Sequence, residues 1–118
     1  MNSNFILLNK TYQTIDYINK LLINFPKKEV ILKQYLEKNM YNAIENLFLF
    51  NINDMNRKKD KNIKDYIVNI SMLNYLIQES FLKKYISYKQ SIALSKYLLA
   101  LKNIAFKIMK GLTNDKVS

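Results

Sequence analysis

The stretch SYKQSIALSKYLLALKNIAFKIMKG, from Ser87 to Gly111, decides the fold. Ser87, with Gln90 three residues on, forms a reciprocal N-terminal cap in which each side chain satisfies an orphan backbone donor. At the other end Lys107 and Lys110 complement the negative helix terminus, and Gly111 is free to turn left-handed, so a helix is expected to close there. Between these signals Leu94, Leu98, Leu101, Ala105, Ile108 and Leu112 recur at steps of three and four and line one helix face. Lys89, Lys96, Lys102, Lys107 and Lys110 lie off that seam, and no acid occurs between Ser87 and Gly111. The resulting rod, about 37 Å long at about 1.5 Å per residue, wants a core on one side and is cationic on the other.

Three further stripes of the same period precede it. Leu8, Tyr12, Ile15, Ile18, Leu22 and Phe25 give a first helix over about 9–24, ended by Pro26, which disfavours the helical conformation at the residue before it. Pro26 also suits the start of a second helix, over about 27–52, with its seam on Leu32, Leu36, Met40, Ala43, Leu47 and Phe50 and with Tyr35, Ile44 and Phe48 broadening it. Residues 53–61 carry no apolar period and many charges, the pattern of an exposed loop. A third helix over about 62–84 turns Ile63, Tyr66, Ile70, Leu73, Ile77 and Phe81 inward, the fourth covers about 87–111, and residues 113–118 read as a polar tail. Four amphipathic helices with short links make one all-α domain, an up-down-up-down four-helix bundle spanning residues 1–118.

Composition narrows the chemistry. One Gly and one Pro in 118 residues argue against a sandwich or barrel, whose turns need many of both. With no His and no Cys, the usual general bases, thiol nucleophiles and zinc ligands are missing, as is the Glu-x-x-His pair of di-iron bundles. Glu37 and Glu45 share a helix face, but two carboxylates read more simply as solvated surface acids. A lone glycine leaves no glycine-rich phosphate loop. No enzyme, cofactor or metal is therefore expected. The Phe5 to Leu8 cluster is too short for a secretion signal and no apolar run is long enough to span a bilayer, so a cytoplasmic protein is expected.

The net charge of +10 favours a polyanionic partner, nucleic acid first; the competing origin is an AT-rich codon bias toward Lys, Asn and Ile. The fourth-helix lysines would meet phosphates as point charges, and Tyr88 and Tyr97 among them can stack on unpaired bases or pack at the bundle edge. Arg57, Lys58 and Lys59 form a second candidate cluster, in which Arg57, the only arginine, alone can fork bidentately to a phosphate. Nine Tyr and six Phe exceed what one slim bundle needs inside. Tyr41, Phe48, Tyr75 and Tyr97 beside the seams point to a homo-oligomer, cyclic by expectation.

Lys10-Thr11-Tyr12, Phe25-Pro26-Lys27 followed by Val30 and Leu32, the Leu73 to Ile77 segment, Tyr85 to Gln90, and Lys110-Gly111-Leu112 occur in an order that resembles a known family. It is the four-helix-bundle family of the ribosomal RNA intervening-sequence proteins, and within it the accessory variability determinant (Avd) proteins of diversity-generating retroelements. The resemblance covers residues 8–112. It implies a pentameric barrel of bundles with a basic surface, association with a reverse transcriptase and with template RNA in support of mutagenic cDNA synthesis, and no activity of its own. The alternative class is an oligomeric protein-interaction scaffold with no nucleic-acid role.

Overall fold

The computed structural model of the chain describes the backbone of residues 3–117. Four helices follow in order: α1 (Ser3–Leu22), α2 (Val30–Ile52), α3 (Asn56–Leu82) and α4 (Tyr88–Val117). Each packs mainly on its two neighbours in the ring α1-α2-α3-α4. With connections this short, successive helices run antiparallel, giving the expected up-down-up-down bundle, 51 × 23 × 21 Å. No helix among the described residues is long and apolar enough to cross a membrane.

The expected seams of α2, α3 and α4 enter one continuous core, from Leu32, Leu36, Met40, Ala43, Leu47 and Phe50 through Ile63, Tyr66, Ile70, Leu73 and Ile77 to Leu94, Leu98, Leu101 and Ala105. Helix α1 differs. Its buried face is Leu7, Thr11, Thr14, Ile18, Leu21 and Leu22, one residue out of step with the expected Leu8, Tyr12 and Ile15. The threonines can be interior because each hydroxyl bonds a carbonyl one turn back, Thr11 Oγ1 to Leu7 O at 2.7 Å and Thr14 Oγ1 to Lys10 O at 2.9 Å. With its own proton committed to Leu7, Thr11 Oγ1 accepts from the fully buried Tyr66 hydroxyl at 2.7 Å, tying α1 to α3 across the core. Burial pushes the Tyr66 phenol well above its ordinary value, with the Thr11 contact opposing, so it stays neutral.

Between α2 and α3 the polar interior is an amide ladder. Asn46 donates to Asn69 at 2.8 Å, Asn69 to Asn39 at 3.3 Å, Asn39 to Tyr35 O at 2.9 Å, and Asn53 to Asn62 at 2.6 Å. Such paired buried amides fix the register of one helix on the next, because a slip strands a donor without a partner. Every buried side-chain nitrogen and oxygen among the described residues has a partner.

Several helix ends depart from expectation: α1 begins at Ser3 rather than about 9 and α2 at Val30 rather than about 27, and the ends of α3 and α4 move as well. The loop expected over 53–61 shrinks to Asn53–Met55, because α3 begins at Asn56. The opening turn has no apolar burial; Lys59 Nζ donates from it to Phe50 O, and just beyond it Lys64 pairs with Asp60 at 2.8 Å and Lys61 with Asp65 at 2.7 Å, both four residues apart. At the opposite end of α3, Lys84 takes the left-handed conformation (φ 66°) that glycine usually supplies. Tyr85 N then bonds Ser80 O and Lys84 N bonds Phe81 O, the paired pattern that closes a helix on a left-handed residue. Gly111, expected to stop α4, does not: the helix continues to Val117, carried over the glycine by Leu112, which is buried. Of the expected polar tail, Ser118 lies outside the described residues. Because a Cβ on Gly111 would meet nothing within 4 Å, Gly111→Ala should raise stability by up to about 1 kcal/mol, the helix-interior cost of glycine, as read by the shift of a urea midpoint at constant slope.

The link into α2 is anchored from the far end of α3. Glu29 accepts from Tyr85 Oη at 2.8 Å and from Lys83 Nζ at 3.3 Å. The Tyr85 bond, aided by Lys83 and opposed by partial desolvation, holds the Glu29 carboxyl below its ordinary value. A lowered carboxylate pKa stabilises the fold above the ordinary value and loses that contribution as pH falls through the folded-state value. Melting temperature should therefore fall more steeply on acidification below the ordinary carboxylate range in the parent than in Glu29→Gln, checked by thermal melts across acidic pH.

Candidate nucleic-acid interface

The α4 surface is set by its start. Ser87 N donates to Gln90 Oε1 at 2.9 Å, and Gln90 N donates to Ser87 Oγ at 3.0 Å, the expected reciprocal cap. With the start fixed and the Leu94-Leu98-Leu101-Ala105 seam buried, register dictates where each lysine points. Lys89, Lys96 and Lys107 fall on the outer face of α4, next to Ala100, which lines the α1/α4 boundary, and all three are exposed. Lys110 is exposed and sits further round, about 60° from Lys107 at about 100° per residue. Lys102 departs from the row: it is half-buried and turned about 120° from Lys96, toward α3. None of the five makes an ion pair with a described residue.

What α4 faces is the feature that sequence reading missed. Along the α1/α4 boundary runs a groove with a hollow of about 250 Å³ lined by Lys10, Gln13, Thr14 and Tyr17 from α1 and by Tyr97, Ala100 and Leu101 from α4. Lys20 follows Tyr17 by three residues, Lys96 adjoins Tyr97, and Lys107 lies seven beyond Ala100, so Lys10, Lys20, Lys89, Lys96 and Lys107 border one groove. The only acid of α1, Asp16, lines the other side of that helix, against α2. From Lys89 to Lys107 the lysine border extends about 27 Å. Its floor holds Tyr17 and Tyr97 edge to face, ring centres 5.8 Å apart at 74°.

The two α4 tyrosines part company. Nine residues separate Tyr88 from Tyr97, which is half a turn out of phase, and Tyr88 packs against Phe81 of α3 at 5.8 Å. Tyr97 belongs to the groove and Tyr88 does not.

The second cluster lies on the first turn of α3, not in a loop. Lys59 has a partner within the chain: its Nζ donates to Phe50 O in the last turn of α2 and stands 4.5 Å over the Phe50 ring. Arg57 and Lys58 stay exposed and make no ion pair among the described residues. Antiparallel topology brings the start of α3 to the same end of the bundle as Lys107 and Lys110. Arg57 and Lys58 therefore extend the basic surface around that end.

The acids gather elsewhere. Asp16 and Glu45 line the α1/α2 groove, and Glu45 with Asp65 lines a polar cleft between α2 and α3. Among the described residues no three His, Cys, Asp or Glu side chains converge as a metal site would require. Among the described residues the α1/α4 groove has Lys10 and no acid in its lining, whereas Asp16, Glu45 and Asp65 line the two grooves bordered by α2. Clustered lysines of this kind favour extended anions, and contacts to phosphates carry no sequence preference. No family model matches the chain, and neither the curated proteins nor the solved structures searched contain a match.

Proposed function

We propose that this protein is a non-enzymatic, cytoplasmic, basic accessory subunit that binds RNA, or an RNA–DNA hybrid with an unpaired strand, and works beside a reverse transcriptase in a diversity-generating retroelement, supporting mutagenic cDNA synthesis. The observation that carries the binding half is the α1/α4 groove, lined by Lys10, with Tyr17 edge to face against Tyr97 in its floor, no acid among its lining residues and exposed lysines on the outer faces of both helices. Lysine rows with aromatic rings between them suit single strands, whose phosphates follow the charges while a base lies on an exposed ring. The polymerase half rests on the family resemblance of residues 8–112. Its test is a reverse-transcriptase reading frame and a near-repeat pair beside the gene, followed by co-purification of that polymerase with the protein. The binding half is tested by an electrophoretic shift with single-stranded and structured RNA at two salt concentrations; no shift at the lower concentration contradicts it. A second reading, an oligomeric interaction scaffold indifferent to nucleic acid, is favoured by large apolar residues left exposed on all four helices.

A further inference from the structure

One end of the bundle carries both the link between α1 and α2 and the link between α3 and α4, because successive helices run antiparallel. The two links are stapled together. Glu29 accepts from Tyr85 Oη and Lys83 Nζ, and the Phe25 and Tyr85 rings meet with centres 5.2 Å apart. Phe25 and Ile86 turn inward and plug the core at this end. What is left outside is aliphatic where links are usually polar: Ile23 is 81% exposed, Leu82 70% and Ile31 69%, with Val30 and Tyr88 also exposed. Lys27, Lys28, Lys83 and Lys84 stand among them, all exposed. Against these four lysines, Glu29 is the one acid in residues 23–31 and 82–88, and it is already bonded.

This surface does not suit a nucleic acid, since Ile, Val and Leu offer no π-face on which a base can stack. It is also small for a protein partner. Across its Cα atoms the bundle measures 23 × 21 Å, about 500 Å² at the end, where a standard protein interface buries about 800 Å² per partner. An anionic bilayer fits both of its chemistries and needs no matching shape. Aliphatic side chains on a rigid frame can enter the boundary of headgroups and acyl chains, about 5–10 Å deep, while lysines around them reach lipid phosphates. Tyrosine, with one apolar and one wet end, favours the same depth.

We propose that this end of the bundle is a membrane-surface contact, with Ile23, Ile31 and Leu82 seated in the headgroup region of an anionic bilayer and Lys27, Lys28 and Lys84 on its phosphates. The contact is peripheral, with no helix among the described residues crossing the bilayer. Lys83 stays on Glu29 and holds the two links in place. The α1/α4 groove runs along the side of the bundle, so a seated end leaves it open, and the contact stands independently of the proposed RNA binding.

Co-sedimentation with vesicles tests this. The parent should pellet with vesicles of equal parts phosphatidylglycerol and phosphatidylcholine and stay in solution with phosphatidylcholine alone. Replacing Lys27, Lys28 and Lys84 together by glutamine should weaken partitioning on the order of 100-fold. Ile31→Ser with Leu82→Ser should weaken it by at least about tenfold. Lys96→Gln with Lys107→Gln, on the outer face of α4, should change it far less. All of these alter exposed side chains, and circular dichroism checks that each variant stays helical. A second measurement reads depth. The chain has no tryptophan, so Ile31→Trp gives a single reporter that brominated lipid should quench, whereas Val68→Trp, midway along α3, should stay unquenched. A parent that ignores anionic vesicles overturns the proposal, as does binding that follows the α4 pair instead of the end substitutions, or quenching at position 68 and not at 31. An end triple variant that loses single-stranded RNA would assign these lysines to nucleic acid and overturn it too.

Discussion

Replacing Lys89, Lys96 and Lys107 together by glutamate is expected to lower affinity for single-stranded RNA by at least about 100-fold at low salt, because each reversal removes a phosphate contact and adds a repulsion. Lys102→Glu, on the flank turned toward α3, is expected to change it far less. The contrast is the informative part. If net charge alone held the RNA, reversing any lysine would cost the same amount, and four single reversals measured by fluorescence anisotropy would fall on one line. If the α1/α4 groove holds it, Lys10→Glu, on a helix far from α4 in sequence, should match Lys96→Glu, because Lys10 lines the hollow and Lys96 adjoins Tyr97, which lines it from the other side.

The second large effect separates neighbours in sequence. Leu98 is 1% exposed in the core and Leu99 is 57% exposed on the outer face of α4. Leu98→Ala should cost about 2–5 kcal/mol, the lost transfer energy of a buried leucine plus the cavity left behind. That is a large part of the roughly 5–15 kcal/mol that holds a domain of this size together. Leu99→Ala should stay within about 0.5 kcal/mol when measured on the monomer, since an exposed side chain away from caps and networks contributes little. Urea unfolding of both variants at a concentration where the parent is monomeric reads the difference. Equal losses would place α4 in the wrong rotation and would move every lysine assignment with it.

That rotation was legible in the sequence because α4 is unambiguous: a reciprocal cap sets its start, and leucines occupy the inner positions. The seams of α2 and α3 were legible for the same reason. Helix α1 was not, because its interior positions include Thr11 and Thr14, which read as polar and are buried only because their hydroxyls bond carbonyls one turn earlier. The start of α3 was hidden because pairs such as Lys61 and Asp65 stabilise a helix without giving it an apolar period. Gly111 looks like a stop when the burial of Leu112 beyond it is unknown. The candidate site was half legible. The α4 lysines announce themselves by the absence of acids, but Lys10, Lys20 and Tyr17 join them only through the packing of the first helix on the last. No local pattern encodes that pairing. Lys59 illustrates the converse, a charge that looks free in sequence and in three dimensions bonds the last turn of α2.

The polarised groove makes its sharpest statement in salt. Five lysines on the phosphates of a single strand predict a slope of about −3.5 for log affinity against log salt, at about 0.7 per contact, or about a 100-fold loss between 50 and 200 mM. Titration of a labelled single-stranded RNA over that range measures it directly. A slope near that value that shallows by about two units in the Lys89, Lys96 and Lys107 triple variant is the expected result. Absence of binding at the lowest salt, or a slope unaltered by the triple substitution, contradicts it.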